Sequence, residues 1–474
     1  MNFFGKLAAG WKRTSFYATY NTKDERARGR LCMLLNGVAS GVSSNLSGGL
    51  FYSGFLLEYG FDYSSISILL FVPYITSILY IFSPSILERF AKRKYILAAM
   101  KLLASTLSVL GITLLPMLFA RNADGQVINL AAMKYAFIGL ILISNAVNAL
   151  FSSGYTAWHS NFLPENIRAT YFFSSSCINS VVTYGVIFLL SLLTDKVKDT
   201  EYYLPVLTSM RYLAYILAIV DIIILLFPKE YEYPKTTSKP RLTDVFSLPF
   251  KNVPFLKTVI IIACVTFAMN VHTGYMDTYI LDTVGVPYSL TNGINALYFL
   301  FFIIFGAMWN HFIMKHTWIK ALGYVLLMDC PTYLLFAFIT PQNYIWLYPV
   351  VRFSQHIFGV VRNTIVASLP YLNLPKEDTT NYLAFYTIIN NVGAMLGRLV
   401  GLGVYEGFGE FEIRIFSASI SSVPFLFGLV GILEILTGVL CFIWFRSATP
   451  KNLLDEYVAN RAKRMERRRA KAEK

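Results

Sequence analysis

Long apolar runs alternate with short charged or Pro/Gly-rich breaks along most of the chain. A hydrocarbon core of ~30 Å takes about 20 apolar residues of helix, and twelve runs reach that length. They are Leu31 to Leu57, Ser64 to Ile86, Tyr95 to Ala120, Ala131 to Trp158, Tyr171 to Thr194 and Leu204 to Phe227, then Phe255 to Leu281, Leu290 to Met314, Trp318 to Ile339, Tyr344 to Leu369, Asn381 to Tyr405 and Val423 to Phe445. Gly409 to Ser422 reads as an amphipathic interfacial helix. Pro228 to Pro254, carrying PKEYEYPKTTSKPRL, is too polar for lipid and separates six spans from six. The pattern predicts an all-α polytopic membrane protein with twelve transmembrane helices. Its parts are an amphipathic cytoplasmic tail (1–30), an N-terminal six-helix half (31–227), a cytoplasmic linker (228–254), a C-terminal six-helix half (255–445) and a basic cytoplasmic tail (446–474).

Composition removes the soluble alternative. Of 474 residues 55% are hydrophobic and only 14% charged, with mean hydropathy +0.53, whereas soluble chains carry roughly 25% charge. The net charge of +14 acquires meaning from its placement. With the amino terminus inside, 32 of the 41 Lys and Arg fall in cytoplasmic segments, and six (Arg121, Lys134, Lys196, Lys198, Arg211, Arg414) fall outside. This asymmetry follows the positive-inside rule and puts both termini in the cytoplasm of a multi-pass protein of the cytoplasmic membrane. The terminal run RAKRMERRRAKAEK follows a span and is interleaved with Glu466 and Glu473. It reads as a juxtamembrane segment held at anionic lipid, at ~1 kcal/mol per basic residue, and no nucleic-acid partner is expected. Residues 1–30 carry charges throughout and lack a signal-peptide pattern. The five cysteines sit in apolar stretches without CxxC spacing, so neither a metal nor a disulfide framework is expected. HExxH, GxSxG and Walker-type motifs do not occur, which argues against an enzyme, a cofactor or an ATP-driven engine.

The segment after the fourth span, LPENIRATYFFSSSCINSV (Leu163 to Val181), and the one after the tenth, LPKEDTTNYLAFYTIINNV (Leu374 to Val392), share Leu, Pro, Tyr, Ile, Asn and Val at a constant offset of 211 residues. Matches at the same topological point of two halves predict duplication, with two parallel six-helix repeats.

At this point the chain resembles the major facilitator superfamily. That family's second-to-third loop follows Gly-x-Leu-x-Asp-Arg-x-Gly-Arg-Arg/Lys, and Pro84-Ser85-Ile86-Leu87-Glu88-Arg89-Phe90-Ala91-Lys92-Arg93 keeps the acid, the following Arg and the basic pair while losing both glycines. The second-half counterpart, Gly306 to His311, keeps the opening glycine alone, and Trp158 with Pro164 to Arg168 is similar to the family's fourth-to-fifth loop. The resemblance implies a conformational latch at Glu88, Arg89 and Arg93. Physically, a carboxylate at a cytoplasmic helix end accepts from N-terminal amides or an Arg, and lets go when the halves rock; a plain positive-inside loop is the bland alternative. The resemblance further implies alternating access, a small-molecule solute, a coupling ion (proton or sodium), a monomer in the bilayer, and a site near the midplane lined by spans one, four, seven and ten.

Those four spans carry one-sided polar stripes at helical spacing: Asn36, Ser40, Ser43 and Ser47; Asn145, Asn148, Ser152, Thr156 and His159; Asn270, Thr273 and Asp277; Arg352, Gln355, His356 and Asn363. A single such residue usually serves interhelical hydrogen bonding, whereas four stripes on four expected helices suggest a water-filled cavity. His159 and His356 are candidates for titration near neutral pH, although a lone histidine is more often structural. Arg352, Arg362 and Arg398 lie inside spans, where each charge costs roughly 2.5–3.5 kcal/mol on insertion scales and needs a partner. Asp277 is expected to pair with Arg352 or Arg398, leaving a guanidinium for an anionic substrate group; a purely structural ion pair is the alternative. Gly393, Gly397 and Gly401 have the spacing for close helix approach. Asp329 and Glu434 receive no role. Span one has no interior acid, only Glu58 at its outer end, and span five lacks the family's Gly-Pro-x-x-Gly-Gly antiporter signature, which disfavours drug efflux. The expected function is secondary transport of a small organic solute, anionic solutes favoured; the alternatives are a drug or lipid transporter of the same fold, or a non-transporting helical receptor or enzyme.

Overall fold

The computed structural model describes residues 15–20, 24–87, 89–90, 92–120, 122, 127–160, 162–163, 165–230, 242–375, 379–409, 413–415, 418–459 and 462. Its long helices are α1 (Glu25–Ser47), α2 (Gly49–Glu58), α3 (Tyr63–Thr76), α4 (Lys94–Ser105), α5 (Leu130–Ser160), α6 (Glu165–Val197), α7 (Tyr203–Leu226), α8 (Val253–Val271), α9 (Tyr288–His316), α10 (Trp318–Phe336), α11 (Tyr344–Ser368), α12 (Thr379–Phe408) and α13 (Ser422–Ala448). Ten stretches are long and apolar enough to cross a membrane among the described residues. The first and tenth expected spans do not meet that standard. The first is broken between α1 and α2, and the tenth, α11, carries two arginines and the polar stripe.

Local chemistry explains the departures from the expected boundaries. Asp24 caps α1 by accepting from the amides of Arg26 and Ala27, so the helix starts six residues before Leu31; such caps contribute ~1 kcal/mol. Gly48 is extended and Gly49 sits at φ +54°, a left-handed conformation that glycine adopts without the clash a Cβ would bring, and this divides the first span. The third span, Lys94–Leu118, contains a π-helical turn at Thr106–Gly111. Among its described residues Gly409 to Ser422 holds no interfacial helix, Ser422 being the first residue of α13. Ile413–Ile415 and Ala418–Ile420 form an antiparallel pair with Arg414 opposite Ser419, because the isoleucines alternate with polar residues at period two, the strand period.

Two compact units emerge, Met1–Thr237 with Ile280–Ala296, and Ser238–Tyr279 with Leu297–Lys474. The first turns of α9 thus belong with the first unit, whereas contiguous halves were expected. In the first unit α1 packs on α6 and α7, and α4 packs on α5 and α7; in the second, α8 packs on α12 and α13, and α10 packs on α11 and α13. The pairing repeats with a shift of six spans, as a duplicated bundle would.

Glycines set the closest approaches. A Cβ on Gly393, Gly397 or Gly401 would lie 2.8, 2.3 or 2.0 Å from the carbonyl oxygens of Ala263, Phe267 and Val271, so α12 lies directly on the backbone of α8. Gly37 and Gly41 likewise admit Asn179 and Thr183 of α6 against α1.

Candidate functional site

In the first unit α1 turns much of its polar stripe into protein. Asn36 is buried and its amide nitrogen donates to the carbonyl (3.1 Å) and the carboxylate of Asp221 on α7. Ser43 is buried and donates to Ala214 O at 2.7 Å, and Ser47 bonds back to Ser43 O. Ser40 is half-buried. The open face of the helix carries Ser44 and Asn45 instead, both exposed, with their side chains bonded to Gly41 O. Polar groups exposed on a span belong against water rather than lipid. On α5, Asn148 is exposed, while Asn145 and Ser152 bond to the carbonyls of Ile141 and Ala149. The side chain of Thr156 lies outside the described residues. His159, beyond the Leu130–Ser152 span, is held down to about 4 by burial and then by the charge of Lys101. It is neutral at pH 7 and is therefore a poor proton gate there.

Asp221 anchors a buried cluster that sequence inspection missed. Lys101 of α4 meets its carboxylate at 2.5 Å, and the Lys101 ammonium also lies 5.6 Å from the Tyr155 ring. A search for opposite charges inside apolar runs, here Lys101 within Tyr95 to Ala120 and Asp221 within Leu204 to Phe227, would have linked the two. Arg211, expected outside the membrane, is instead buried within α7. Its Nε donates to Thr113 Oγ1 (2.9 Å), Nη1 to Ser47 O (3.1 Å) and Nη2 to Ser108 O and Val109 O (3.5 and 3.4 Å). Tyr52 and Phe55 lie 5.1 and 4.8 Å from the guanidinium. Ser108 and Val109 belong to the π-helical turn, whose displaced hydrogen-bond ladder leaves carbonyls for an external donor.

Glu88 lies outside the described residues and Arg89 is exposed. The acid at the start of α4 is Glu230, from beyond α7, which accepts from the backbone amides of Arg93 (2.5 Å) and Lys94 (2.9 Å); Lys94 Nζ in turn donates to Pro228 O. This is the carboxylate-to-helix-start interaction expected of the loop, supplied by another residue. At the other end of the unit, Asp195 accepts from the amides of Tyr288 and Ser289 (2.7 and 2.8 Å), capping α9. Tyr203 and Tyr288 share a 2.7 Å hydroxyl contact, and Tyr63 donates to Asp282.

In the second unit Thr273 bonds to Met269 O, and Asn270 donates to Thr266 O while accepting from Arg398 Nε at 3.2 Å. Arg352 lies within electrostatic reach of Asp277. Arg352 Nη1 donates to Gln355 Oε1 at 2.8 Å, which leaves the buried Gln355 Nε2 without a partner among the described residues. His356 is buried with ring contacts to Tyr298 and Phe301 (5.3 and 6.1 Å), and Asn363 donates to the Tyr298 hydroxyl. Arg362 pairs with Asp329 and, at 3.2 Å, with Glu434. The two acids left without a role are therefore the ones that hold a span arginine.

The Major Facilitator Superfamily model matches residues 33–397: this chain belongs to that superfamily, and it is an integral multi-pass membrane transporter of the family's kind rather than a recognisable enzyme. Among solved structures it is similar to a point-mutant form of the nucleoside transporter NupG, with TM-score 0.62 and 13% identity over 89% of this chain and 100% of that one. It is also similar to a D-xylose-proton symporter (0.61, 13%, 87% and 96%) and to the POT family transporter PepTSo (0.61, 12%, 88% and 98%). At such identities the likeness shows the fold alone. No curated protein matches the chain in sequence.

Proposed function

We propose that this protein is a secondary transporter that moves a small organic solute across the cytoplasmic membrane by alternating access, with anionic solutes favoured. The observation that carries the reading is the Arg352–Gln355 pair on α11, the long helix too polar to qualify as an ordinary span. Arg352 occupies the acceptor of the Gln355 amide, and the buried Nε2 donor has no hydrogen-bond partner among the described residues. A buried amide donor beside a guanidinium charge suits a carboxylate or phosphate. Thr273 and Asp277 after α8 supply further polar groups in the same unit, and in the first unit Ser44 and Asn45 on α1 and Asn148 on α5 are exposed polar groups. Asn36 and Ser43 serve the packing of α1 on α7. A coupling ion, proton or sodium, accompanies the solute in this reading. Transport relatives of known solute (nucleoside, xylose) support the class and do not select the substrate.

The test is a thermal-shift screen of purified protein against anionic and neutral metabolites, with Arg352→Gln alongside. Stabilising ligands are expected to bear a carboxylate or phosphate, and Arg352→Gln is expected to weaken them about 10- to 100-fold, the loss of one charged hydrogen bond of ~1.5–3 kcal/mol. Ligands that are all neutral and indifferent to Arg352 would overturn the anionic preference.

A further inference from the structure

The cluster at Arg362 lacks internal charge balance. Two carboxylates, Asp329 of α10 and Glu434 of α13, contact the same nitrogen, Nη1, of one guanidinium from α11. Both acids are fully buried, with side-chain exposure of 0%. Asp329 has its own donor in Thr332 Oγ1 at 2.9 Å, whereas Glu434 Oε2 has no hydrogen-bond partner among the described residues. The first unit offers the contrast: its α4–α7 interface buries one Lys against one Asp, a balanced pair. An ionised carboxylate with one bare oxygen inside a span carries a desolvation cost of several kcal/mol that a shared guanidinium does not remove. Binding one proton to the pair restores balance.

We propose that Asp329, Glu434 and Arg362 form a proton-binding site in which the two carboxylates together hold one proton, resident on Glu434. The other titratable and charged groups facing it are Cys330 and Tyr333 from α10, Arg352 from α11, His272 from α8 and Arg398 from α12. Among the described residues none of them is hydrogen-bonded to a Glu434 oxygen. The carboxylates ride on helices that are fixed to one another, for a Cβ on Gly323 of α10 would lie 3.1 Å from Gly438 O of α13, and one on Gly431 3.3 Å from Cys330 O. Arg362 rides on α11. Withdrawal of Arg362 leaves two buried carboxylates with no cation in contact, and the pair then takes up a second proton. If α11 moves during a transport cycle, a step that rests on the transport reading above, the site gains and loses that proton with it. The resident proton does not depend on transport.

Infrared difference spectroscopy on the full-length protein in phosphatidylcholine liposomes reads the proton directly. The wild type is expected to show a carboxylic-acid carbonyl band at pH 7 that shifts in deuterium oxide. Glu434→Gln and Asp329→Asn should each abolish it, because the remaining carboxylate is matched one-to-one by Arg362 and ionises. Arg362→Gln should add a second acid band, and Asp277→Asn should leave the Glu434 band in place. Persistence of the wild-type band in both single acid variants would overturn the proposal. So would its absence from the wild type at pH 7, a measurement that needs no variant to fold. Ligand-binding failure in the thermal-shift screen with these bands intact would count against the transport reading alone.

Discussion

Buried charge at single residues is where this protein is most exposed to substitution. Asp221→Asn leaves the half-buried Lys101 without a carboxylate, and loss of one partner of a buried pair costs about 3–5 kcal/mol, less here because the ammonium keeps some exposure. A large fall in the melting temperature of detergent-solubilised protein is expected, while the double replacement Lys101→Met with Asp221→Leu should regain most of it; a double variant no better than the single would refute the pairing. His159 gives the pH signature. Its folded pKa of about 4 lies below the usual value of 6.5, so the neutral ring's contribution is complete above about pH 6.5 and is lost as pH falls towards 4. That loss is expected to reach about 2 kcal/mol once its partial exposure is discounted. Melting temperatures measured from pH 7 to 4.5 should drop less in His159→Gln than in the wild type, and identical slopes would refute the assignment.

At the scale of helices, the glycine spacing on α12 has a directly testable meaning. Gly401→Ala places a Cβ 2.0 Å from Val271 O, a backbone atom that cannot swing aside, and overpacking of this kind costs about 1–3 kcal/mol or more. Reduced thermal stability is expected for Gly401→Ala and little change for Gly403→Ala, whose Cβ would meet nothing within 4 Å. This contact was legible in the sequence, as were the long apolar helices and the duplication. The polar stripes were less informative for a physical reason: Ser47, Asn145, Asn270 and Thr273 each bond to a carbonyl four residues back on the same helix. Such a side chain is satisfied locally, so its position in the stripe does not reveal whether it faces water. The setting of Arg211 was illegible because its acceptors are mainly backbone carbonyls, two of them in a π-helical turn. Ile413 to Ile420 was misread because a short alternating segment resembles one face of an amphipathic helix until its period is weighed.

For the molecule as a whole, family membership and repeated helix pairing agree with the duplication suggested by the 211-residue offset. Ten described stretches qualify as spans; twelve crossings with both termini inside is our proposed topology. Reporter fusions at both termini should be active only in the cytoplasm, and cysteine substitutions in the loop at residues 199–201 should react with an impermeant reagent from outside; a terminus labelled from outside would overturn the even count. The assignment of residues 280–296 to the first unit bears on biosynthesis. Tyr288 stacks on Phe51 and is completely buried in the first unit's apolar core. The ribosome must therefore finish α1 to α7, the linker and α8 before the residue that completes the first core exists. The two halves are made one after the other, but the first can be completed only while the second is under way.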